Sequence, residues 1–139
     1  MKRRANDKGF SMVELIIVIA IMAILAGVLT PVLLRYVEEA RIRSDEEKIS
    51  SLEKTVALAV GEVEIQEELL SLPSPAELRF YPGIGFEDSE GKISALKKYV
   101  EESLPADKMH LKSRQYKSDT SYYKVMLGSS GVEVTIEKQ

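Results

Sequence analysis

Residues 15–34 carry no charged side chain, and this apolar run restricts the fold more than any other feature of the chain. As a helix, with a rise of about 1.5 Å per residue, the run would extend about 30 Å, which matches the hydrocarbon core of a bilayer. A secretory signal has a shorter apolar stretch of about 7 to 15 residues and a small-x-small cleavage site, which this run lacks. We therefore predict a membrane-spanning helix near the front of the chain.

The segment ahead of the run is basic, with a net charge of +3 from Lys2, Arg3, Arg4, Asp7 and Lys8. The positive-inside rule predicts that residues 1–9 stay in the cytoplasm and that the chain after Arg35 crosses the membrane. Removal of residues 1–9 would change the formal net charge from -3 to -6. Such an acidic product argues against a nucleic acid partner, because phosphate binding needs a basic surface.

Glu14 is the only charged side chain between Phe10 and Leu34. A carboxylate at the centre of a bilayer costs about 2.5 to 3.5 kcal/mol, and less near the interface, so it usually has a partner. Two compatible interpretations are open. Ser11 and Glu14 have the spacing of a capping box, in which each side chain satisfies an amide at the helix start. Alternatively, cleavage after Gly9 would expose an amine on Phe10, one turn from Glu14, that could pair with it within a subunit or between subunits.

Residues 8–14 read KGFSMVE and lead directly into the apolar run. This combination resembles the prepilin leader of type IV pilins and pseudopilins. The resemblance implies that residues 1–9 are a leader peptide, that prepilin peptidase cuts between Gly9 and Phe10, and that the amine of Phe10 is N-methylated. It also implies that Glu14 takes part in subunit assembly.

The resemblance further implies a structural subunit of a type IV pilus, with a homo-oligomeric helical filament as its product. The expected partners are the prepilin peptidase/methyltransferase, the membrane, and a pilus assembly platform with its ATPase. The precursor would lie in the cytoplasmic membrane as a single-pass protein, and the filament would lie outside the cell or on its surface. One alternative is a pseudopilin of a type II secretion or competence system. Another is a membrane-anchored binding domain whose leader is never cut.

Gly27 and Pro31 predict a weak point in the apolar helix. Pro31 cannot donate a hydrogen bond to the carbonyl of Gly27, and Gly27 itself costs a helix about 1 kcal/mol. A proline near this place is typical of the family that the chain resembles, and by that resemblance the helix before it melts in the filament. A tolerated kink in a membrane helix is the other interpretation.

After Arg35 the pattern becomes that of an amphipathic helix, with one apolar face formed by Ile42, Ile49, Leu52, Val56, Ala59, Val60 and Val63. We predict one helix from about Phe10 to about Gln66. Because Glu38 and Asp45 interrupt the face, we expect its burial to begin near Ile49. The predicted organisation is a leader at 1–9, a transmembrane and filament-core helix at 10–34, and a globular head at 35–139.

The rest of the head predicts an α+β fold. Prolines and glycines mark residues 71–91 as a loop that includes a short helix near 76–80, and residues 93–104 have helical spacing. Period-two patterns predict three antiparallel strands: one beginning at Met109 and Leu111, one with Tyr123, Val125 and Leu127 on one face, and one with Val132, Val134 and Ile136. Residues 128–131 supply the turn between the last two strands. The apolar face of this sheet would cover the back half of the long helix.

Candidate catalytic chemistry is sparse. The chain has no cysteine, His110 is its only histidine, and it contains no glycine-rich phosphate loop. The acidic residues at 87–91 do not have the spacing of a calcium-binding EF-hand loop, and we interpret them as a solvated turn. We assign no catalytic residue, metal or cofactor, and expect that the protein is not an enzyme.

Overall fold

The computed structural model describes residues 10–88, 91–129 and 131–139. The chain divides into two compact units, the first ending at Val37 and the second comprising Glu38–Gln139. Helix α1, Met12–Ala59, begins in the first unit and ends in the second. Every described residue of the first unit is exposed, so its described residues form no buried core.

The second unit combines helices with one antiparallel sheet. Its further helices are α2 (Val63–Leu70), α3 (Ser94–Ser103) and a short 3-10 helix (Ala106–Met109), and its strands are β1 (Ala76–Tyr81), β2 (Gly85–Phe86), β3 (Ser121–Gly128) and β4 (Gly131–Lys138). The strands lie in the order β2-β1-β3-β4, and each neighbouring pair is antiparallel. A long helix packed against a small antiparallel sheet confirms the predicted α+β class.

The core lies between the end of α1 and one face of the sheet. Leu52, Val56 and Ala59 of α1 are fully buried, in one apolar cluster with residues of β1, β3, β4 and α3. Within this cluster the rings of Phe80 and Phe86 meet edge to face, with centroids 5.1 Å apart. The part of the predicted helical stripe at Leu52, Val56 and Ala59 is therefore covered by the sheet, whose apolar face needs such a partner.

The predictions for α3 and for the last two strands are confirmed. In β3 and β4 the pairs Tyr123–Ile136 and Val125–Val134 face each other, and Gly128 lies opposite Gly131 across the turn. Tyr123, Val125 and Val134 are buried, as the period-two pattern predicts, and Tyr122 on the other face of β3 is buried as well. Residue 130 lies outside the described residues.

The prediction of a loop with a short helix near 76–80 is wrong. This segment is strand β1, which pairs with both β2 and β3, so the sheet has four strands rather than about three. Ala76, Leu78 and Phe80 are buried and alternate with Glu77 and Arg79, which are more exposed. The period-two pattern is present in the sequence, but the neighbouring prolines and glycines obscured it.

The prediction of one helix to about Gln66 is also wrong. Helix α1 ends at Ala59, and the chain turns through Gly61, whose N–H donates to the carbonyl of Leu58 at 3.0 Å. Val63 then begins α2 and is 72% exposed, so it does not belong to the buried face of α1. Glycine has a low helix propensity, which favours an end to the helix at this place.

The strand predicted at Met109 and Leu111 does not form. Met109 ends the 3-10 helix, and the residues that follow are a loop whose side chains at Met109 and Leu111 are nevertheless buried. The backbone amides of this loop donate to carboxylates on α1 instead of to a neighbouring strand. A strand needs those amides for its ladder, so the carboxylates explain the difference.

Candidate assembly segment and carboxylate anchors

Glu14 lies in the first turn of α1 and forms the capping box that its spacing predicts. Its carboxylate accepts a hydrogen bond from the Ser11 N–H at 2.8 Å, and the Ser11 hydroxyl oxygen accepts one from the Val13 N–H at 3.3 Å. Glu14 is exposed, and a carboxylate can accept about four hydrogen bonds. Capping therefore leaves acceptor capacity on Glu14 for a further cation.

The predicted cleavage site lies at the edge of the described residues. Gly9 and the rest of the predicted leader at 1–9 lie outside them, whereas Phe10 is described and is 83% exposed, just before α1 begins. Cleavage between Gly9 and Phe10, methylation of Phe10, and pairing of its amine with Glu14 stay predictions.

The exposed part of α1 has the properties of a membrane-spanning helix. It contains a stretch of 18 residues with a mean hydropathy of 2.9, and no residue of this stretch is buried. No other helix in the described part of the chain is long and apolar enough to cross a membrane. A helix that is apolar all round needs lipid or other helices around it. By length and composition, this part of α1 can cross a membrane.

Helix α1 continues through both Gly27 and Pro31. Directly before Pro31, the Thr30 hydroxyl donates to the carbonyl of Ala26, one turn earlier, at 2.6 Å. A side chain at Gly27 would meet no atom within 4 Å, so open space surrounds this glycine. The predicted melting concerns a filament, and it stays a prediction.

Asp45 is a fully buried carboxylate with four hydrogen-bond contacts, although the sequence suggested only an interruption of the apolar face. Its side chain is fully buried and accepts hydrogen bonds from the Lys112 N–H at 3.1 and 3.0 Å and from the Ser113 N–H at 2.8 Å. The ammonium of Lys48, one turn further on, lies 3.0 Å from Asp45 and donates to the carbonyl of His110 at 2.6 Å. Asp45 and Lys48 together hold residues 110–113 against α1.

Burial by itself would raise the pKa of Asp45, because a carboxylate loses its hydration there. Hydrogen bonds from Ser113, Lys48 and Lys112 favour the charged form and outweigh the burial, so the pKa lies below its usual value of 3.8. Burial and the nearby charge of Asp45 raise the pKa of Tyr123, whose hydroxyl donates to the carbonyl of Met109 at 2.8 Å. Asp45 is therefore ionised at neutral pH while Tyr123 is neutral.

Two further carboxylates hold loops and helix ends. Glu38 accepts the N–H of Arg114 and lies 3.5 Å from the guanidinium of Arg41. Glu68 on α2 accepts the Ala95 N–H at 2.8 Å and the Leu96 N–H at 3.2 Å, so it caps the start of α3. Carboxylates are favourable at a helix amino terminus, where several amides lack partners.

The acidic turn near 87–91 also binds backbone amides where it is described. The Asp88 carboxylate accepts the N–H groups of Lys92 and Ile93 at 2.9 and 3.3 Å. Residues 89 and 90 of the predicted solvated turn lie outside the described residues. Among the residues that the structure describes, no group of three or more acidic, histidine or cysteine side chains has the geometry of a metal site.

Residues 4–30 match the family model of the prokaryotic N-terminal methylation motif. This motif is the prepilin leader signature of type IV pilins and pseudopilins, so the chain has the front of a type IV pilin or pseudopilin-like precursor. Such a motif implies processing by a prepilin peptidase and assembly into a filament, and it indicates a structural protein with a membrane-anchored precursor. No curated protein and no solved structure matches the chain.

The sequence pattern predicted the capping box of Glu14 but did not predict that Asp45 and Glu38 bind backbone amides. A carboxylate on an apolar helix face, followed three residues later by a lysine, is a pattern that could have indicated a buried anchor at Asp45. The amides that it binds lie 67 and 68 residues away, and no local pattern indicates that pairing.

Proposed function

We propose that the protein is a structural subunit of a type IV pilus, inserted as a precursor, trimmed between Gly9 and Phe10, and polymerised through residues 10–34. The observation that carries the proposal is the match of residues 4–30 to the prepilin motif. The exposed apolar surface of α1 supports it, because that surface would be covered by lipid before assembly and by neighbouring helices afterwards.

Glu14 supplies the proposed driving force for one step of assembly. A carboxylate and an ammonium about 4 Å apart attract each other by about 4 kcal/mol at an effective dielectric constant near 20, before the cost of desolvation is subtracted. The amine of Phe10 would be the cation, from the same subunit or from a neighbour. Methylation of that amine can preserve its charge, so the pair would survive the modification.

The first experiment determines the amino terminus of the mature protein by sequencing and mass. A start at Phe10 with a methylated amine supports the proposal. A mature protein that keeps residues 1–9 would contradict both filament functions and would favour the membrane-anchored binding domain.

The second experiment separates the two roles of Glu14. Glu14→Gln keeps the capping geometry, because glutamine also serves in a capping box, but removes the charge. Glu14→Ala removes both. We expect both variants to be inserted and processed and neither to enter filaments, whereas Glu39→Gln, an exposed change further along α1, should assemble normally.

Normal assembly of Glu14→Gln together with failure of Glu14→Ala would show that only the cap matters. Normal assembly of both variants would refute any assembly role for Glu14. Each variant is scored by the amount of subunit in sheared filaments, relative to processed subunit in the membrane.

A pseudopilin of a type II secretion or competence system is the second candidate, because the motif at residues 4–30 is shared by pilins and pseudopilins. The two predict different filaments. Long surface fibres that contain this subunit, seen by electron microscopy and identified by mass, favour the pilus. Short structures confined to the cell envelope favour the pseudopilus.

A further inference from the structure

A basic surface cavity lies beside the loop that Asp45 holds. Its volume is about 580 Å³, and it is lined by Arg41, Leu111, Lys112, Arg114 and Lys117. Four cationic residues thus line one cavity in a chain whose formal net charge is -3. We call this group the basic cavity. A local concentration of positive charge on an acidic protein attracts anions to that one place.

Most of the charge in the basic cavity is not neutralised by the protein. Arg41 lies 3.5 Å from Glu38, in an ion pair that is partly exposed. Within residues 10–88, 91–129 and 131–139, the side chains of Lys112, Arg114 and Lys117 form no ion pair. Three cations therefore remain available to an anion from outside.

The backbone that carries these cations is held in place. Asp45 accepts the Lys112 N–H, and Glu38 accepts the Arg114 N–H. The Lys117 N–H donates to the carbonyl of Ser113 at 2.9 Å. A site whose backbone is already ordered loses less conformational entropy when it binds, so these bonds favour binding of a ligand.

The basic cavity belongs to residues that follow the apolar run closely. Only residues 35–40 separate Leu34 from Arg41, and seven peptide steps extend at most about 25 Å. In the membrane-inserted precursor that the proposed function requires, Arg41 must then lie within about 25 Å of the end of the apolar run. The phosphates of lipid headgroups are the anions concentrated at the surface of a bilayer, near the end of the apolar run.

We propose that the basic cavity binds the phosphate of an anionic phospholipid headgroup while the subunit is in the membrane. The proposal rests on membrane insertion in the proposed function. Arginine and lysine supply charge-assisted hydrogen bonds to phosphate oxygens, and Leu111 supplies an apolar wall for the glycerol part of the headgroup. The subunit would have to give up this contact when it leaves the lipid for a filament.

The test uses the full chain in lipid vesicles with a nitroxide quencher on a fraction of the headgroups. Because the chain has no cysteine, Gln115→Cys provides a single place for a fluorescent label beside the basic cavity. Ser129→Cys, in the exposed turn after β3, provides the reference label. Flotation with the vesicles shows first that the chain is inserted.

We expect the label at residue 115, but not the one at 129, to be quenched in phosphatidylglycerol vesicles at low salt. Each juxtamembrane cation strengthens such a contact about fivefold. The double change Arg114→Gln with Lys117→Gln should therefore weaken the contact roughly 25-fold, measured as the ratio of quenched to unquenched label. The matched control, Lys97→Gln with Lys98→Gln on α3, removes the same charge and should leave quenching unchanged.

Three outcomes would overturn the proposal. Quenching that survives the cavity changes would show that the contact does not use these cations. Protection of the label that rises with the ratio of protein to lipid, without quenching, would show that the basic cavity binds an acidic surface of a second copy instead. Failure of the chain to float would refute membrane insertion itself, which identifies failure of the proposed function before any quenching is measured.

Discussion

Replacement of Asp45 by asparagine should strongly destabilise the second unit. The change preserves shape but converts one acceptor oxygen into an NH₂ donor. The native carboxylate has two contacts with the Lys112 N–H, one with the Ser113 N–H and one with the Lys48 ammonium. In Asp45→Asn, two of these donors would face another donor, and Lys48 would lose its counter-charge.

The expected size of the effect follows from the burial of Asp45. Removal of one partner from a buried ion pair costs about 3 to 5 kcal/mol, because the remaining charge is left without compensation. The lower end applies, since the Lys48 ammonium keeps its hydrogen bond to the carbonyl of His110 and its side chain is 14% exposed. We expect a loss of about 3 kcal/mol, or about 12 °C in the melting temperature of a domain of this size.

The assay is thermal unfolding of the full chain in detergent micelles, followed by the near-ultraviolet circular dichroism of its tyrosines. Asp119→Asn is the matched control, because Asp119 is exposed in the loop that precedes β3. It should change stability by less than about 0.5 kcal/mol. If Asp45→Asn costs less than about 1 kcal/mol, the carboxylate does not anchor residues 112 and 113, and the account of the missing strand at Met109 fails with it.

Two more predictions follow from the carboxylates of the second unit. Because the pKa of Asp45 is lower in the folded state than its usual value of 3.8, its stabilising contribution is complete above that pH and is lost as the pH falls through the folded-state pKa. Acid unfolding of the wild-type protein should therefore show a loss of stability below about pH 4 that Asp45→Asn lacks, and identical pH dependence would contradict the lowered pKa. Glu68→Gln should cost about 1 to 2 kcal/mol by weakening the cap of α3, measured by the same thermal unfolding. Glu67→Gln, its exposed neighbour, should cost almost nothing, and equal effects would exclude the cap.

Local sequence patterns predicted the elements whose apolar residues recur at the spacing of a helix or a strand. The apolar face of α1 at Leu52, Val56 and Ala59 and the alternation in β3 and β4 follow from spacings of 3.6 and 2 residues. The capping box of Ser11 and Glu14 spans four residues and is likewise local. The capping box lies wholly within a short segment, and each apolar face lies wholly on one helix or strand.

The errors occur where a distant partner decides the local structure. The sequence at Met109 and Leu111 is compatible with a strand, but the amides of Lys112 and Ser113 bind a carboxylate 67 and 68 residues earlier. Strand β1 was missed for a related reason. Its partner β3 begins 40 residues after β1 ends, while the prolines and glycines beside it indicate a loop.

Three carboxylates on α1, those of Glu14, Glu38 and Asp45, each accept a hydrogen bond from a backbone N–H. They differ in how many further hydrogen bonds they can accept. Asp45 accepts four contacts, which fills a carboxylate, and burial prevents any further partner. Glu38 binds one amide and lies beside one guanidinium. Glu14 binds one amide and is exposed, so it has both the capacity and the access to bind another cation. A charged group kept at the start of an apolar helix is costly in lipid unless a cation compensates it. This difference in remaining capacity is the physical reason for the proposal that Glu14 acts in assembly, whereas Asp45 holds the loop at residues 112 and 113.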